Sequence, residues 1–218
     1  MNLKQCIKDT TYRFRQDIID DILKRISLPK EAKFLDVGCA EGNASLRHAE
    51  SAGIKKENIF GLDIDDKYLE IAKEKFKVFK VDFEKDSFPF EDNYFDLILV
   101  DQVFEHIKNI SNLSKEISRV LKPNGYLIVL TPNLAVWYNR FLLLSGKQPL
   151  CINIFSDHIR GFTKRALKEF ILNDIKGSKA ISFRGAGFYP FWGYLAKIFS
   201  KIFPNLSVYL IFLFQIQK

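Results

Sequence analysis

The sequence predicts an α/β fold: a doubly wound, mostly parallel sheet with helices on both faces. Three observations carry that expectation. Strand-like and helix-like patterns alternate from residue 33 to 131, the order that builds a parallel sheet with crossover helices. The segment FDLILVD at 95–101 is almost wholly apolar, as a strand covered on both faces must be. Four acids, Asp36, Asp63, Asp82 and Asp101, recur at separations of 27, 19 and 19 residues, each at or near a strand end.

The elements follow in order. Residues 16–26 place Ile18, Ile19, Ile22, Leu23 and Ile26 on one helical stripe, and Pro29 stops that helix. KFLDV is the first strand, and a helix spans about Asn43 to Ala52. NIFGLDI is the second strand, DDKYLEIAKEK a helix, FKVFKVD the third strand and FDLILVD the fourth. A helix over Ile110–Leu121 leads through the turn KPNG into GYLIVLTP, the fifth strand. Residues 133–160 are less regular and read as an insertion over the site. FTKRALKEFILND is a helix that Thr163 can cap. The remainder holds one aromatic-rich helix and a final apolar strand.

At 218 residues and 47% hydrophobic content, the chain is long enough for one domain with a full core. It divides into an N-terminal helical segment (1–32), a core (33–133), an insertion (134–162) and C-terminal helices and strands (163–218). The first twenty residues contain no apolar signal core, so export is not expected. Cys6, Cys39 and Cys151 are scattered and odd in number, with no CxxC pair. Neither a disulfide framework nor a zinc pattern is suggested, and a reducing cytoplasm fits. The net charge of +7 is uneven. Residues 175–218 carry six basic and no acidic side chains; the rest holds 27 basic and 26 acidic, a net of +1.

The carboxyl ends of parallel strands share one edge, and ligands of open α/β sheets bind just outside it. A single aspartate there could be a turn former or helix cap, but four in series point to a shared site. In FLDVGCAEG, Gly38 and Gly42 let the chain turn and approach a ligand, while the next helix offers free N–H groups. Asp63 is placed to accept hydrogen bonds from both hydroxyls of a ribose, with Ile64 against a base face. Asp82 can accept from an exocyclic amine, and Phe83 can add apolar contact. Asp101 and Gln102 lie nearest the first strand if the sheet reverses order between strands one and four. A dinucleotide fingerprint laid on Gly38 needs glycines at 40 and 43, where this chain has Ala40 and Asn43. No Walker lysine motif is present either. A ligand with an adenosine, no pyrophosphate and a positive charge fits better than NAD.

These segments resemble the class I S-adenosylmethionine-dependent methyltransferases, in the broad type 11 small-molecule group. LDVGCAEG is similar to their first motif, with Ala40 where glycine is commoner. GLDID resembles the second, VDFEKDSFPF the third, FDLILVDQVFEHI the fourth, and RVLKPNGYLIVLTPN the segment after it. The resemblance covers about 33–133 and implies a Rossmann-like seven-stranded sheet with its last strand antiparallel. It makes 33–133 the donor-binding core. It implies S-adenosylmethionine as donor and S-adenosylhomocysteine as product. The glycine turn with Gly38, Ala40 and Gly42 would contact the methionine portion, Asp63 the ribose, Asp82 and Phe83 the adenine, and Asp101 would lie near the amino group; Asp36, Ile64 and Gln102 complete the expected donor-binding set. HIRGFTKRALKEFI is similar to a stretch in MetW-like members, without naming an acceptor.

The donor is a sulfonium, so transfer is an in-line displacement in which alignment alone supplies much of the acceleration. The acceptor must still lose a proton. His158 is the first candidate base, and Arg160 can hold an acceptor carboxylate or phosphate. Their plainer roles are a helix cap and a structural ion pair. His106 reads as a hydrogen-bonded structural residue near the site, and His48 as a solvated helix residue. The three histidines are too dispersed for a local metal motif, and no metal is expected. The charged stripe of the first helix reads as an ordinary solvated face, although Tyr12, Arg13 or Arg15 could fold over the donor.

Residues 188–203 hold seven aromatics in sixteen positions. Phe191, Leu195, Ile198, Phe199 and Ile202 share a helical stripe, with Lys197 and Lys201 toward another side. An aromatic face with lysines suits peripheral contact with a membrane, but it also suits a roof over the acceptor or a subunit face. Nothing approaches a spanning segment, and nucleic acid is not expected. Trp137, Tyr138, Phe141 and Leu142–Leu144 add apolar surface, which hints at a lipid-like acceptor. The competing functions are a non-catalytic or membrane-recruited binder retaining the fold and, less well supported, an NAD-dependent oxidoreductase. Oligomeric state is not legible in the sequence.

Overall fold

The computed structural model describes residues 3–152 and 156–217, with side chains from residue 11 onward. Cys6 and Lys218 therefore fall outside the described side chains. The order is α1 (Leu3–Leu23), β1 (Phe34–Val37), α2 (Asn43–Ser51), β2 (Ile59–Asp63), α3 (Asp66–Ala72), β3 (Lys77–Lys80), β4 (Phe95–Asp101), α4 (Ile110–Val120), β5 (Leu121–Pro132), α5 (Trp137–Leu144), α6 (Lys164–Asp174), β6 (Ser178–Ala186), α7 (Gly193–Ile202) and β7 (Tyr209–Ile216). The seven strands form one sheet in the order β3-β2-β1-β4-β5-β7-β6. β7 runs antiparallel to both neighbours, β5 and β6, and the first five strands pair in parallel. The sheet does reverse order between β1 and β4, the condition under which Asp101 and Gln102 come nearest the first strand.

Side-chain alternation splits the core into two layers. Leu35, Val37, Phe60, Leu62, Ile98 and Val100 face one way, against Leu113 and Ile117 of α4 and Leu167 and Ile171 of α6. Phe34, Ile59, Leu97 and Leu99 face the other, against Ile19 and Ile22 of α1, Ala49 of α2 and Leu69 of α3. Asp36, Asp63 and Asp101 share the parity of that second set. All three therefore point to the layer beneath α1 and α2.

Three local expectations change. The irregular 133–160 contains α5, which begins after Val136 and ends at Leu144. β6 is a strand that its residues do not announce, because Lys179, Ile181 and Arg184 are exposed and the alternation is poor. The charged face of α1 is not simply solvated: Arg15, Gln16 and Asp20 are buried against the sheet edge and α2. Thr163 does cap α6, accepting from the Ala166 N–H at 3.2 Å.

Candidate functional site

Register places the acids. Asp36 lies level with Gly61 of β2 and Leu99 of β4. Asp63 and Asp101 are each two residues farther along, level with the point where β1 leaves the sheet at Gly38. The glycine turn thus emerges between two carboxylates, with a third just below it. The turn needs its small residues. Gly38 has φ +80°, and a side chain there would meet Val103 Cγ2 at 2.6 Å. Gly42 has φ +78° and would meet Phe76 at 2.7 Å. Ala40 also has positive φ, +45°, a conformation that disfavours any β-carbon.

The turn is fastened to β2. Gly38 and Cys39 N–H groups donate to the Leu62 carbonyl at 2.8 and 3.0 Å. Asp63 Oδ2 accepts from Ala40 N–H at 2.9 Å, and Oδ1 accepts from Ile64 and Asp65 N–H at 2.8 and 3.0 Å. A carboxylate offers about four lone-pair positions, so these three bonds leave Asp63 room for roughly one more donor. The expectation that it takes both ribose hydroxyls is narrowed accordingly. Ile64, beside it, is exposed, as a base-facing residue would be.

Asp36 is buried, and its Oδ2 accepts the Ser45 hydroxyl of α2 at 2.6 Å. Burial, then the nearby Asp101 and Asp63 charges, raise its pKa to about 6 against the Ser45 hydrogen bond and the His48 charge. Asp101 is approached from above by α1: Gln16 Nε2 donates to Oδ2 at 3.3 Å, and Arg15 Nη1 stands 3.5 Å from Oδ1. Gln102 follows with φ +58°. Asp36 Oδ1, Asp101 Oδ1 and Gln16 Oε1 are buried with no hydrogen-bond donor. Acceptors without a hydrogen bond on one edge, of which only Asp101 Oδ1 has the Arg15 charge nearby, fit a positively charged ligand, as an adenosyl sulfonium with an ammonium group is.

Two adenine-side expectations fare differently. Asp82 keeps a partly exposed carboxylate that accepts from Glu84 N–H at 3.0 Å and pairs with Lys85 at 3.2 Å. These two contacts hold its pKa below the ordinary value. The Phe83 ring turns into the core against Phe88, 6.1 Å between centroids, and is too buried to offer a ligand its face. The reason is that Phe83 and Phe88 fill the layer between the sheet and α4.

His48 is corrected most sharply. It is fully buried, and its Nδ1 lies 2.7 Å from Asp20 Oδ1. Arg47 Nε reaches the other Asp20 oxygen at 2.7 Å. This cluster clamps α1 onto α2, so the clamp, not solvent, explains His48. Of the α1 candidates, Arg15 does fold over the edge, stacked near Tyr12 and Tyr209 rings at 4.9 and 5.2 Å. Tyr12 and Arg13 remain exposed.

The segment 156–162 returns over the loop that follows β4. Ile159 N–H donates to the Glu105 carbonyl at 2.9 Å, and Arg160 Nη2 donates to the Lys108 carbonyl at 2.8 Å. His106 Nδ1 lies 3.2 Å from the Asp157 carbonyl, and His158 Nδ1 lies 2.7 Å from the Cys151 carbonyl. The two imidazoles meet edge to face at 4.7 Å. Burial and the neighbouring His158 lower the His106 pKa. Glu105 sits beneath them, buried, and desolvation raises its pKa to about 8. Sequence reasoning singled out His106 and His158 but not their contact. It passed over Glu105, whose one signal was an acid inside the apolar run VFEHI.

α5 and the segment before α7 also join. Trp137 Nε1 donates to the Tyr189 carbonyl at 2.6 Å, and the Tyr138 and Tyr189 rings lie 6.0 Å apart. The expected stripe on α7 is not one exposed face. Phe191 and Phe199 stack inward at 4.6 Å, and Ala196 and Ser200 are buried, while Tyr194, Leu195 and Ile202 face outward. Lys197 turns back to α1, 3.5 Å from Asp17.

Comparison with known proteins agrees with this architecture. Residues 35–129 match a family described as Methyltransferase domain. A demethylmenaquinone methyltransferase of Anoxybacillus flavithermus is 32% identical over 116 residues, covering 50% of this chain and 48% of that protein. One of Geobacillus stearothermophilus is 27% identical over 184 residues, covering 77% and 75%. The chain thus spans about half to three quarters of the length of these curated relatives. Among solved structures, a Thermotoga maritima S-adenosylmethionine-dependent methyltransferase, described as a possible histamine N-methyltransferase, superposes with a TM-score of 0.64. It is 20% identical, and the match covers 95% of this chain and 91% of that one. Residues 35–129 thus match the methyltransferase domain family, and the chain as a whole shares the fold of an S-adenosylmethionine-dependent methyltransferase.

Proposed function

We propose that the protein transfers the methyl group of S-adenosylmethionine to an apolar, lipid-like small molecule. The observation that carries the donor half is the ring of Asp36, Asp63 and Asp101 around the Gly38 turn, with its orphaned acceptor atoms. In this reading 33–133 is the donor half, and 134–162 with 163–218 supplies the acceptor half.

The chain's residues divide the work. Asp63 positions a ribose hydroxyl while locking the turn through the Ala40 N–H. Asp101 receives the ammonium, which then replaces or joins Gln16 and Arg15. Asp82, partly exposed and paired with Lys85, would accept from the adenine edge in exchange for that contact. The donor, when bound, supplies a methyl already activated by positive sulfur. An acceptor atom bonds to that carbon as the carbon–sulfur bond breaks, its electron pair staying on sulfur, and the acceptor's proton leaves. Glu105, His106 and His158 stand beside the Asp101 end of the edge and are the groups toward which that proton would go. Arg160 Nε is buried without a partner, which suits an acceptor oxygen.

The acceptor's apolar character rests on exposed Phe141, Leu144, Trp192, Tyr194 and Leu195 and on relatives named for demethylmenaquinone. The same patch suits peripheral contact with a bilayer surface. Among the described residues, no helix is long and apolar enough to cross a membrane. Calorimetry with S-adenosylmethionine, S-adenosylhomocysteine and NAD tests the donor: binding of NAD alone would overturn the reading. A turnover screen that measures released S-adenosylhomocysteine against apolar hydroxylated acceptors tests the reaction. Flotation with anionic vesicles tests the membrane contact, which absence of flotation would reject.

A further inference from the structure

Glu105, His106 and His158 carry an inference beyond methyl transfer itself. Their ligand-capable atoms, one from each side chain, all lie within 4.8 Å of one another. The residues are up to 53 positions apart in sequence. The fold unites them because the 156–162 segment is stitched to the loop after β4 by Ile159–Glu105 and Arg160–Lys108 hydrogen bonds.

The hydrogen bonds around the cluster fix its chemistry. A backbone carbonyl can only accept. The Nδ1 atoms of His106 and His158, each facing a carbonyl, must therefore carry the ring protons. In the neutral rings that leaves a lone pair on both Nε2 atoms. An Nδ1–H held by a carbonyl is the arrangement that orients histidines around metal ions. Glu105 is 1% exposed, and neither of its carboxylate oxygens has a hydrogen-bond partner. A buried acid without a donor or a counter-charge is costly to ionise. The nearby Arg15 points to Asp101 instead.

We propose that Glu105, His106 and His158 form a binding site for one divalent transition-metal ion of the Zn²⁺ or Mn²⁺ kind. Two imidazoles and one carboxylate are a ligand set for such ions and leave coordination positions open. Ligands around an ion at ~2.1 Å lie about 3.4 Å apart in a tetrahedron. Closure onto an ion requires the ligand atoms of the three side chains, now within 4.8 Å of one another, to draw inward. The open positions would take an acceptor oxygen. In place of direct proton transfer to these side chains, coordination would lower the pKa of a bound hydroxyl, its proton would leave to water, and the oxyanion would bond to the methyl carbon as the carbon–sulfur bond breaks. That role rests on the methyl-transfer reading; the ion site does not.

The test uses the full chain, treated with chelator, dialysed and titrated calorimetrically with Zn²⁺ and with Mn²⁺ in the absence of donor. One ion per chain is expected for at least one of the two. Glu105→Gln and His158→Ala should each weaken it at least ~tenfold, with S-adenosylhomocysteine binding kept as the check that the fold is intact. Should Glu105→Gln not fold, His106→Ala and His158→Ala decide the matter, since both rings lie nearer the surface. Absence of saturable one-to-one binding, or binding that neither histidine variant alters, overturns the site. Turnover that persists unchanged after chelation overturns the catalytic role and leaves donor binding untouched, so the two readings fail separately.

Discussion

The β1 turn and the apolar surface from α5 to α7 occupy the same molecule but are built by different means. At the turn, backbone and carboxylate groups hold one another: Asp63 binds three N–H groups, and two more go to the Leu62 carbonyl. At the apolar surface, side chains such as Leu144 and Tyr194 stand in solvent at 85% and 78% exposure. The first region fixes a ligand by geometry that tolerates little change. The second offers area, which many apolar shapes can use. Under the proposed function, donor and acceptor recognition would obey separate rules, and mutations should separate them.

The sharpest break should come from Gly38→Val. A β-carbon would fall 2.6 Å from Val103 Cγ2 at a φ of +80°; the overlap and the left-handed backbone together cost about 3 kcal/mol. Thermal denaturation should show the loss, and S-adenosylhomocysteine binding should vanish. Next, Asp63→Ala orphans three backbone donors and would remove the proposed ribose contact, so donor affinity should fall at least ~tenfold. Asp63→Asn should fall less, and equal calorimetric constants for wild type and Asp63→Ala would remove Asp63 from the ribose role.

Protonation gives a third test of the turn. The folded-state pKa of Asp36, about 6, lies above its ordinary 3.8. Between those values the folded protein keeps a proton that the unfolded chain has lost. Stability of the ligand-free protein should therefore fall as pH rises through that window. A cationic donor favours the ionised acid, so its affinity should rise by about tenfold between pH 5 and pH 8. Calorimetry across that range checks the sign. A flat profile would show that Asp36 does not sense the ligand.

On the apolar side, Trp192→Ala combined with Tyr194→Ala should cut vesicle flotation several-fold while S-adenosylhomocysteine affinity stays the same. A joint loss would join the two regions that the comparison keeps apart. The smallest effect belongs to Ala40→Gly. Relieving a φ of +45° should stabilise the protein by about 1 kcal/mol, a rise of roughly 2–4 °C in Tm.

The sheet edge was legible in the sequence because strand ends and crossover lengths repeat, and Asp36, Asp63 and Asp101 mark that repeat. Arg15, Gln16 and Asp20 were not legible as buried residues. A helix with charges around it reads as solvated until its packing partner, α2, is known. His48 was misread for the same reason. β6 was hidden because its exposed Lys179, Ile181 and Arg184 break the alternation that marks a half-buried strand. Phe83 looked available to a ligand, yet Phe88 five residues later claims its ring. The meeting of Glu105, His106 and His158 depends on a long chain return whose course no local pattern records.

The placement of β7 between β5 and β6 has a consequence for how the protein is made. On a ribosome, β1 to β5 can pair as they emerge, but β6 has no neighbour until residues 209–216 have also left the tunnel. Until then the nascent chain carries an open strand at β5, a hazard for pairing with other chains. Insertion of β7 into that gap completes the platform on which α7 rests, so this side of the sheet matures only after residues 209–216 have been made.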